Sequence, residues 1–276
     1  MKFLDLTLPT PAENLACDEA LLDTCETALT LAPLGGEGQG EGAFGLRCLG
    51  GILRFWESLE YFVVVGYGNK VADEVNQTAC AKMNVPILRR CSGGGTVLQG
   101  PGNLNYSLIL PFDETGPLRT ITAANQFIME RNRAAIEAAI SRQPSAISHL
   151  PSAIRISGHT DLTITSRPAP HASWLKFSGN SQRRRKHFLL FHGTFLLNFD
   201  LALIEKLLLM PTKQPDYRQH RAHSEFLTNL HLPADTVKQA LQSAWDATTP
   251  LSEVPDNQIA ALTREKYSTA EWNLKF

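Results

Sequence analysis

Phe3-Leu4-Asp5-Leu6-Thr7-Leu8 alternates apolar and polar positions, the period of a half-buried strand. Thr10-Pro11-Ala12-Glu13 follows. Threonine and glutamate three apart, with proline at the first helical position, predict a capped helix start. Leu15, Asp18, Leu21, Leu22 and Cys25 carry that helix onward at helical spacing. Residues 46–56 and 61–66 read as two strands paired with each other, and 75–83 as a short helix. Apolar runs at 85–88 and 104–110 read as buried strands. Residues 120–140 form an amphipathic helix with Ile121, Ala124, Phe127, Ile128, Ala135, Ile136 and Ala139 on its apolar face. Strands are expected at 155–165, 174–177 and 188–199, the first two joined by a loop containing Pro168 and Pro170. Helices are expected at 200–209, 235–245 and 257–266.

Strands and helices mix without regular βαβ alternation. That pattern predicts an α/β (α+β) fold with a mixed, largely antiparallel β-sheet and surrounding helices. No repeat and no Pro- or Ser-rich linker marks a boundary, so one domain is expected over residues 1–276. The glycines at 35–42 are acidic and unpatterned and read as a plain flexible loop.

Composition narrows the classes. With 276 residues and 43% hydrophobic content, the chain is able to bury a large core. A net charge of −1 offers no basic field for nucleic acid. No apolar run reaches signal-peptide or membrane-spanning length, so the expectation is a cytoplasmic protein with no membrane partner. Cys17, Cys25, Cys48, Cys80 and Cys91 form no Cys-x-x-Cys pair or zinc spacing, and read as reduced core residues.

One loop stands apart. Arg89-Arg90-Cys91-Ser92-Gly93-Gly94-Gly95-Thr96-Val97 runs through Gln99-Gly100-Pro101-Gly102-Asn103 between two apolar strands. Glycines let backbone N–H groups approach a ligand, successive amides form an anion cradle, and arginine adds oxyanion recognition. Downstream stand Ser157-Gly158-His159-Thr160-Asp161-Leu162, then Lys176-Phe177-Ser178-Gly179-Asn180-Ser181-Gln182-Arg183-Arg184-Arg185-Lys186, then His192-Gly193-Thr194. A lysine inside a mostly apolar strand lies on a solvated face or turns into a site. Arg183 to Lys186 alone reads as a solvated turn. Asp216-Tyr217-Arg218, with Arg221 and His223, reads as a loop-ordering cluster or, more sharply, a docking surface.

In these segments the chain resembles the lipoate–protein ligases, within the lipoate/biotin ligase and octanoyltransferase superfamily. Three motifs carry the resemblance: Arg90-x-Ser92-Gly93-Gly94-Gly95-x-Val97 with Gly102-Asn103; Asp161-Leu162 with Lys176-x-Ser178-Gly179-x-Ser181; and His192-Gly193-Thr194-x-Leu196-Leu197-Asn198. It implies the fold of that catalytic domain without a C-terminal accessory domain. It also implies ATP-dependent activation of lipoate to lipoyl-adenylate, and transfer to a lysine of a lipoyl carrier domain. Lys176 is then the catalytic lysine, bridging the acyl oxygen and the α-phosphate. Arg90 and the amides of Gly93, Gly94 and Gly95 hold carboxylate and phosphate. Thr96, Val97 and Leu98 lie along the lipoyl and adenylate groups. Ser92, Asn103, Gly179 and His192 complete the binding set, and Asp161 holds Mg²⁺ or adenylate groups. Residues 62–65 are expected to line an apolar tunnel for the dithiolane. Adenylation is then expected either to use a separate small accessory subunit as a further partner or to proceed without one.

Gln99 and Gly100-Pro101-Gly102 depart from the ligase pattern toward the octanoyltransferases. That opens the alternative of ATP-independent transfer through a cysteine acyl-enzyme. No cysteine follows Cys91, so that route lacks its expected nucleophile. A non-catalytic paralogue that binds lipoyl domains is the other alternative.

Overall fold

Thr10 and Glu13 close the reciprocal cap that their spacing predicts: the Glu13 N–H donates to Thr10 Oγ1 at 3.2 Å, and the Thr10 N–H to Glu13 Oε2 at 2.8 Å. The structure, a computed structural model, describes residues 1–31, 50–142, 153–165 and 173–276. The glycines at 35–42, Cys48, the start of the strand expected at 46–56, Pro168 and Pro170 lie outside the described residues.

In chain order the elements are β1 (Lys2–Asp5), α1 (Pro11–Leu31), β2 (Ile52–Glu57), β3 (Phe62–Val65), β4 (Ile87–Arg89), β5 (Val97–Gln99), β6 (Asn103–Pro111), α2 (Ile121–Ser141), β7 (Ala153–Ser157), β8 (Asp161–Thr165), β9 (Leu175–Arg184), β10 (Phe188–Leu196), α3 (Leu201–Leu207), α4 (Ala234–Ala244), β11 (Thr249–Pro250) and α5 (Asp256–Leu262). Among the described residues they form an eight-stranded sheet, β11-β1-β2-β6-β10-β9-β8-β7, and a three-stranded sheet, β4-β3-β5. β1 runs parallel to β2 and β11, and β3 parallel to β4; the other junctions are antiparallel. This is the expected mixed, largely antiparallel α/β class.

The large sheet is covered on both faces. Leu53, Phe55, Leu108, Phe191 and Phe195 pack with α2 and α4. Ile52, Trp56, Ile109 and Leu190 alternate with them and pack under α1. The small sheet adds a third cluster around Val63, Val65, Leu98 and Phe199. Among the described residues no helix is long and apolar enough to cross a membrane.

Three strand expectations need correction. β2 and β3 do not pair: β2 lies between β1 and β6, and β3 between β4 and β5. Both are buried without alternation, and a two-stranded pairing would leave faces uncovered that the two sheets bury. The strand expected at 155–165 is the hairpin β7–β8, divided at Gly158, whose φ of 58° takes the left-handed turn conformation. Finally, Arg183 to Lys186 is not simply a solvated turn, since β9 runs through Arg184. Arg183 donates to the Cys91 carbonyl, Arg184 lies over the Phe112 ring and Arg185 pairs with Asp23.

Candidate active site

Strand register decides which side chains meet on the α1 face of the large sheet. Trp56 stands opposite Asn105, Asn105 opposite Thr194, Thr194 opposite Gly179, and Gly179 opposite Asp161. Directly paired residues share a face, so these five form one row across β2, β6, β10, β9 and β8. Two residues along runs a second row of Arg54, Ser107, His192 and Ser181. A cavity of about 900 Å³ lies along the first row, roofed by Gly94 to Gln99, Val64 and Leu15.

The second row anchors the roof. Arg54 is fully buried and its Nη1 donates to Asp18 Oδ1 of α1 at 2.6 Å. Ser107 Oγ donates to Asp18 Oδ2 at 2.7 Å. Burial opposes the Asp18 charge, but Arg54 and the His192 and Ser107 hydrogen bonds outweigh it and hold its pKa below the usual value. His192 Nδ1 lies 3.3 Å from Asp18 Oδ2, and its Nε2 lies 2.5 Å from Ser92 Oγ. Ser181 Oγ donates to the Gly93 carbonyl at 2.8 Å. With both ring nitrogens engaged, His192 ties α1, β10 and the glycine loop together.

Arg90 holds the loop from behind. Its Nη2 donates to the Gly93 and Gly95 carbonyls at 2.6 and 2.7 Å, and its Nε to Ser92 Oγ at 3.1 Å. Burial lowers its pKa to about 10, which leaves it cationic at neutral pH. Its donors therefore serve the loop itself rather than gripping an anion directly, as the sequence led one to expect. Gly94 adopts a φ of 86° within this grip. The Thr96 N–H is taken by Glu74 Oε2 at 3.1 Å, whereas the amides of Gly94 and Gly95 meet no acceptor among the described residues. Two adjacent free donors thus stand at the cavity wall.

Lys176 reaches the cavity because β9 carries a bulge. Leu162 pairs with Ser178 and Thr163 with Lys176, which leaves Phe177 as an extra residue. A bulge re-aims the side chains beyond it. Lys176 and Gly179, three apart, consequently serve the same face. Lys176 Nζ lies 2.8 Å from Asp161 Oδ1, and Tyr217 donates to Asp161 Oδ2 at 2.6 Å. Burial and the Asp161 charge push the Tyr217 phenol up, so it stays a donor. Gly179 gives Lys176 its room: a Cβ there would stand 2.8 Å from Nζ.

Of the residues expected in the site, all but Ser92 and Gly93 line the cavity. Those two act through the loop, one on His192 and the other on Ser181. The expected tunnel wall at 62–65 is corrected: only Val64 lines the cavity, while Phe62, Val63 and Val65 point into packed clusters. Leu15, Val97, Leu98, Leu196 and Ile204 supply apolar lining instead. Asp161 is committed to Lys176 and Tyr217, and among the described residues no three His, Cys, Asp or Glu side chains gather to hold a metal. The donor set does not fit a protein-built Mg²⁺ site. Cys91 is buried and does not line the cavity; burial, then the nearby Glu19 charge, raise its thiol pKa to about 12. Arg89 is fully buried too and donates to the carbonyls of Gly66, Tyr67 and Asn69, a structural clamp.

The sequence reading missed Glu74, Asn105, the contact of Tyr217 with Asp161 and the part played by Asp18. Asp18 carried a signal: a charge set within the apolar face of α1. The cluster at 216–223 proves to be loop-ordering, with Arg221 donating to the carbonyls of Trp174 and Tyr217 and Tyr217 reaching the site.

Comparison with known proteins shows the family and the fold. The family model described as lipoyl protein ligase A/B catalytic domain matches residues 10–245. Lipoate-protein ligase A subunit 1 of Thermoplasma acidophilum is 23% identical over 234 residues, covering 81% of this chain and 84% of that protein. Octanoyltransferase LipM of Clostridioides difficile is 30% identical over 173 residues, 60% of each. A solved structure of a bipartite lipoate protein ligase and its E2 lipoyl domain from Thermoplasma acidophilum superposes with a TM-score of 0.71 at 24% identity, covering 99% of this chain and 96% of that one.

Proposed function

This chain belongs to the lipoyl protein ligase A/B catalytic-domain family, and from that premise we propose that it is an ATP-dependent lipoate–protein ligase. The observation that carries the reading is the Lys176 ammonium, turned over Gly179 by the bulge and placed in one cavity with the free amides of Gly94 and Gly95. Asp161 occupies one ammonium donor and leaves the others for substrate.

In the first step a lipoate carboxylate oxygen attacks the α-phosphorus of ATP, and pyrophosphate leaves. Negative charge gathers on the α-phosphate and acyl oxygens, where Lys176 and the loop amides stabilise it; one well-placed donor is worth about 3 kcal/mol. In the second step the amine of an acceptor lysine on a lipoyl carrier domain attacks the acyl carbonyl. AMP leaves, the amine loses its proton, and an amide forms. Asp161, committed to Lys176 and Tyr217, would leave any Mg²⁺ the nucleotide needs to be held by the phosphates themselves. The reading places the protein in the cytoplasm, with a separate small accessory subunit assisting adenylation, since the Thermoplasma acidophilum relative is described as bipartite.

The octanoyltransferase alternative draws on the 30% identical relative. It requires a nucleophile, and among the described residues the cavity lining includes no cysteine. Mass spectrometry of an apo lipoyl domain incubated with the chain, lipoate and Mg-ATP tests the proposal. Lipoylation is expected only with ATP, or from preformed lipoyl-adenylate if the accessory subunit is absent, and Lys176→Ala abolishes it. Transfer from an acyl-carrier protein without ATP, and none from lipoate or lipoyl-adenylate, would sink the ligase reading.

A further inference from the structure

Tyr217 stands far from Lys176 in sequence and close to it in space. It lies in a single 3₁₀ turn, Asp216–Arg218, on the segment that follows α3. Its hydroxyl donates to Asp161 Oδ2 at 2.6 Å, while Lys176 Nζ lies 2.8 Å from Asp161 Oδ1. The two contacts take opposite oxygens of one carboxylate, and all three residues line the cavity. Hydrogen bonds to an ionised oxygen are short and about twice as strong as neutral ones. Partners on both oxygens therefore fix the plane of the Asp161 carboxylate, which a single contact would leave free to turn.

The chain holds Tyr217 in place from several sides. Its ring packs against Phe226, with centroids 5.3 Å apart. Directly after the 3₁₀ turn, Gln219 and His220 take φ of 54° and 58°, left-handed values that residues with a Cβ adopt sparingly. Such strain persists where surrounding contacts hold it, and it clusters at functional sites. Here the reversal brings Arg221 back onto the turn. Its Nη2 donates to the Tyr217 carbonyl at 3.0 Å and its Nη1 to the Trp174 carbonyl at 3.2 Å. Further along the same segment, the Thr228 N–H donates to the Lys176 carbonyl at 3.0 Å. Residues 217–228 thus grip the lysine's strand by its backbone and the lysine's side chain through Asp161.

We propose that Tyr217 is a positioning residue: by holding Asp161 Oδ2 it fixes the carboxylate that aims the Lys176 ammonium at the reacting acyl and phosphate oxygens. The proposal rests on the ligase reading above and adds the group that sets the direction of its lysine. An ammonium carries three donors. With Oδ2 occupied by the phenol, Lys176 meets the carboxylate through Oδ1, and its remaining donors stay with the substrate. With Oδ2 open, the carboxylate is free to turn and take the ammonium on both oxygens, which draws its charge away from the substrate. Charge stabilisation depends on donors aimed before the reaction begins, so a loosely held lysine loses rate rather than binding.

Single-turnover transfer from preformed lipoyl-adenylate to an apo lipoyl domain tests this on the full chain. The maximal rate and the half-saturating acceptor concentration are read separately. Tyr217→Phe keeps the ring on Phe226 and removes only the hydroxyl. Its maximal rate is expected to fall about tenfold, with the half-saturating concentration within about twofold of the parent. Asp161→Ala supplies the second background. There the hydroxyl has no carboxylate to hold, so adding Tyr217→Phe changes the rate by less than about twofold. An unchanged rate in Tyr217→Phe, an equal loss in both backgrounds, or a higher half-saturating concentration at unchanged rate overturns the positioning role and leaves the ligase reading standing. No transfer from lipoyl-adenylate by the parent chain overturns the ligase reading, and the positioning role with it.

Discussion

Gly179→Ala isolates the placement of Lys176 from the stability of the fold. The added Cβ would stand 2.8 Å from Lys176 Nζ and 2.9 Å from Cε. Non-bonded atoms settle at about 3.5–4.0 Å, so the ammonium must retreat by roughly 1 Å. It yields readily, being the end of a flexible chain, and Gly179 has no left-handed φ that alanine would strain. The ion pair with Asp161, 2.8 Å in the native protein, is rebuilt in another place or lost. A displacement of this size at a charge-stabilising group costs about 100-fold in rate, or about 2.7 kcal/mol of transition-state stabilisation. Single-turnover transfer from preformed lipoyl-adenylate to an apo lipoyl domain measures it, with thermal melting alongside. The expected result is a rate about 100-fold lower and a melting temperature within about 2 °C of the parent. Full activity in the folded variant would show that Lys176 does not act from above Gly179. A large fall in melting temperature would assign the glycine to folding instead.

Two further outcomes follow from charge and burial. Because the folded Asp18 pKa lies below its unfolded value near 3.9, its contribution to stability is present above about pH 4 and is lost as pH falls through the folded value. Asp18→Asn leaves Arg54 buried without its charge partner and should cost about 3–5 kcal/mol at pH 7. Urea unfolding should show the gap between parent and variant closing toward pH 3; a constant gap would remove Asp18 from the acid response. Cys91, buried and raised to about pKa 12, should resist iodoacetamide in the native protein at pH 8, and Cys91→Ser should keep most transfer activity. Rapid labelling with loss of transfer would revive the acyl-enzyme route.

The elements with a strong local period were legible in the sequence. The Thr10–Glu13 cap, the amphipathic helix 120–140 and the apolar strand at 104–110 appear within a residue or two of their expected bounds. What failed was pairing. Nearness in sequence pairs β2 with β3, but burial on both faces sends them to different sheets. The Gly158 turn is hidden in the sequence, since a lone glycine in an alternating run does not interrupt the apolar period.

The site divides the same way, and the division explains how the chain assembles it. The glycine loop, Lys176 and His192 announced themselves because each lies in a compact motif. Their working relation did not, because it depends on register. Lys176 and Gly179 share a face only through the bulge at Phe177, and a one-residue difference in that count would turn the ammonium into the opposite core. Asn105 and Trp56 meet only because β2 pairs with β6 in one register. Asp18 joins Arg54, Ser107 and His192 only when α1 lies over that register. One buried carboxylate thereby senses three strands at once. A slip in any of them would leave Arg54 or Asp18 buried and unpaired, a penalty of several kcal/mol that an all-apolar contact would not impose. The Asp18 cluster is thus what converts a permissive apolar packing of α1 into a single alignment of the row that lines the cavity.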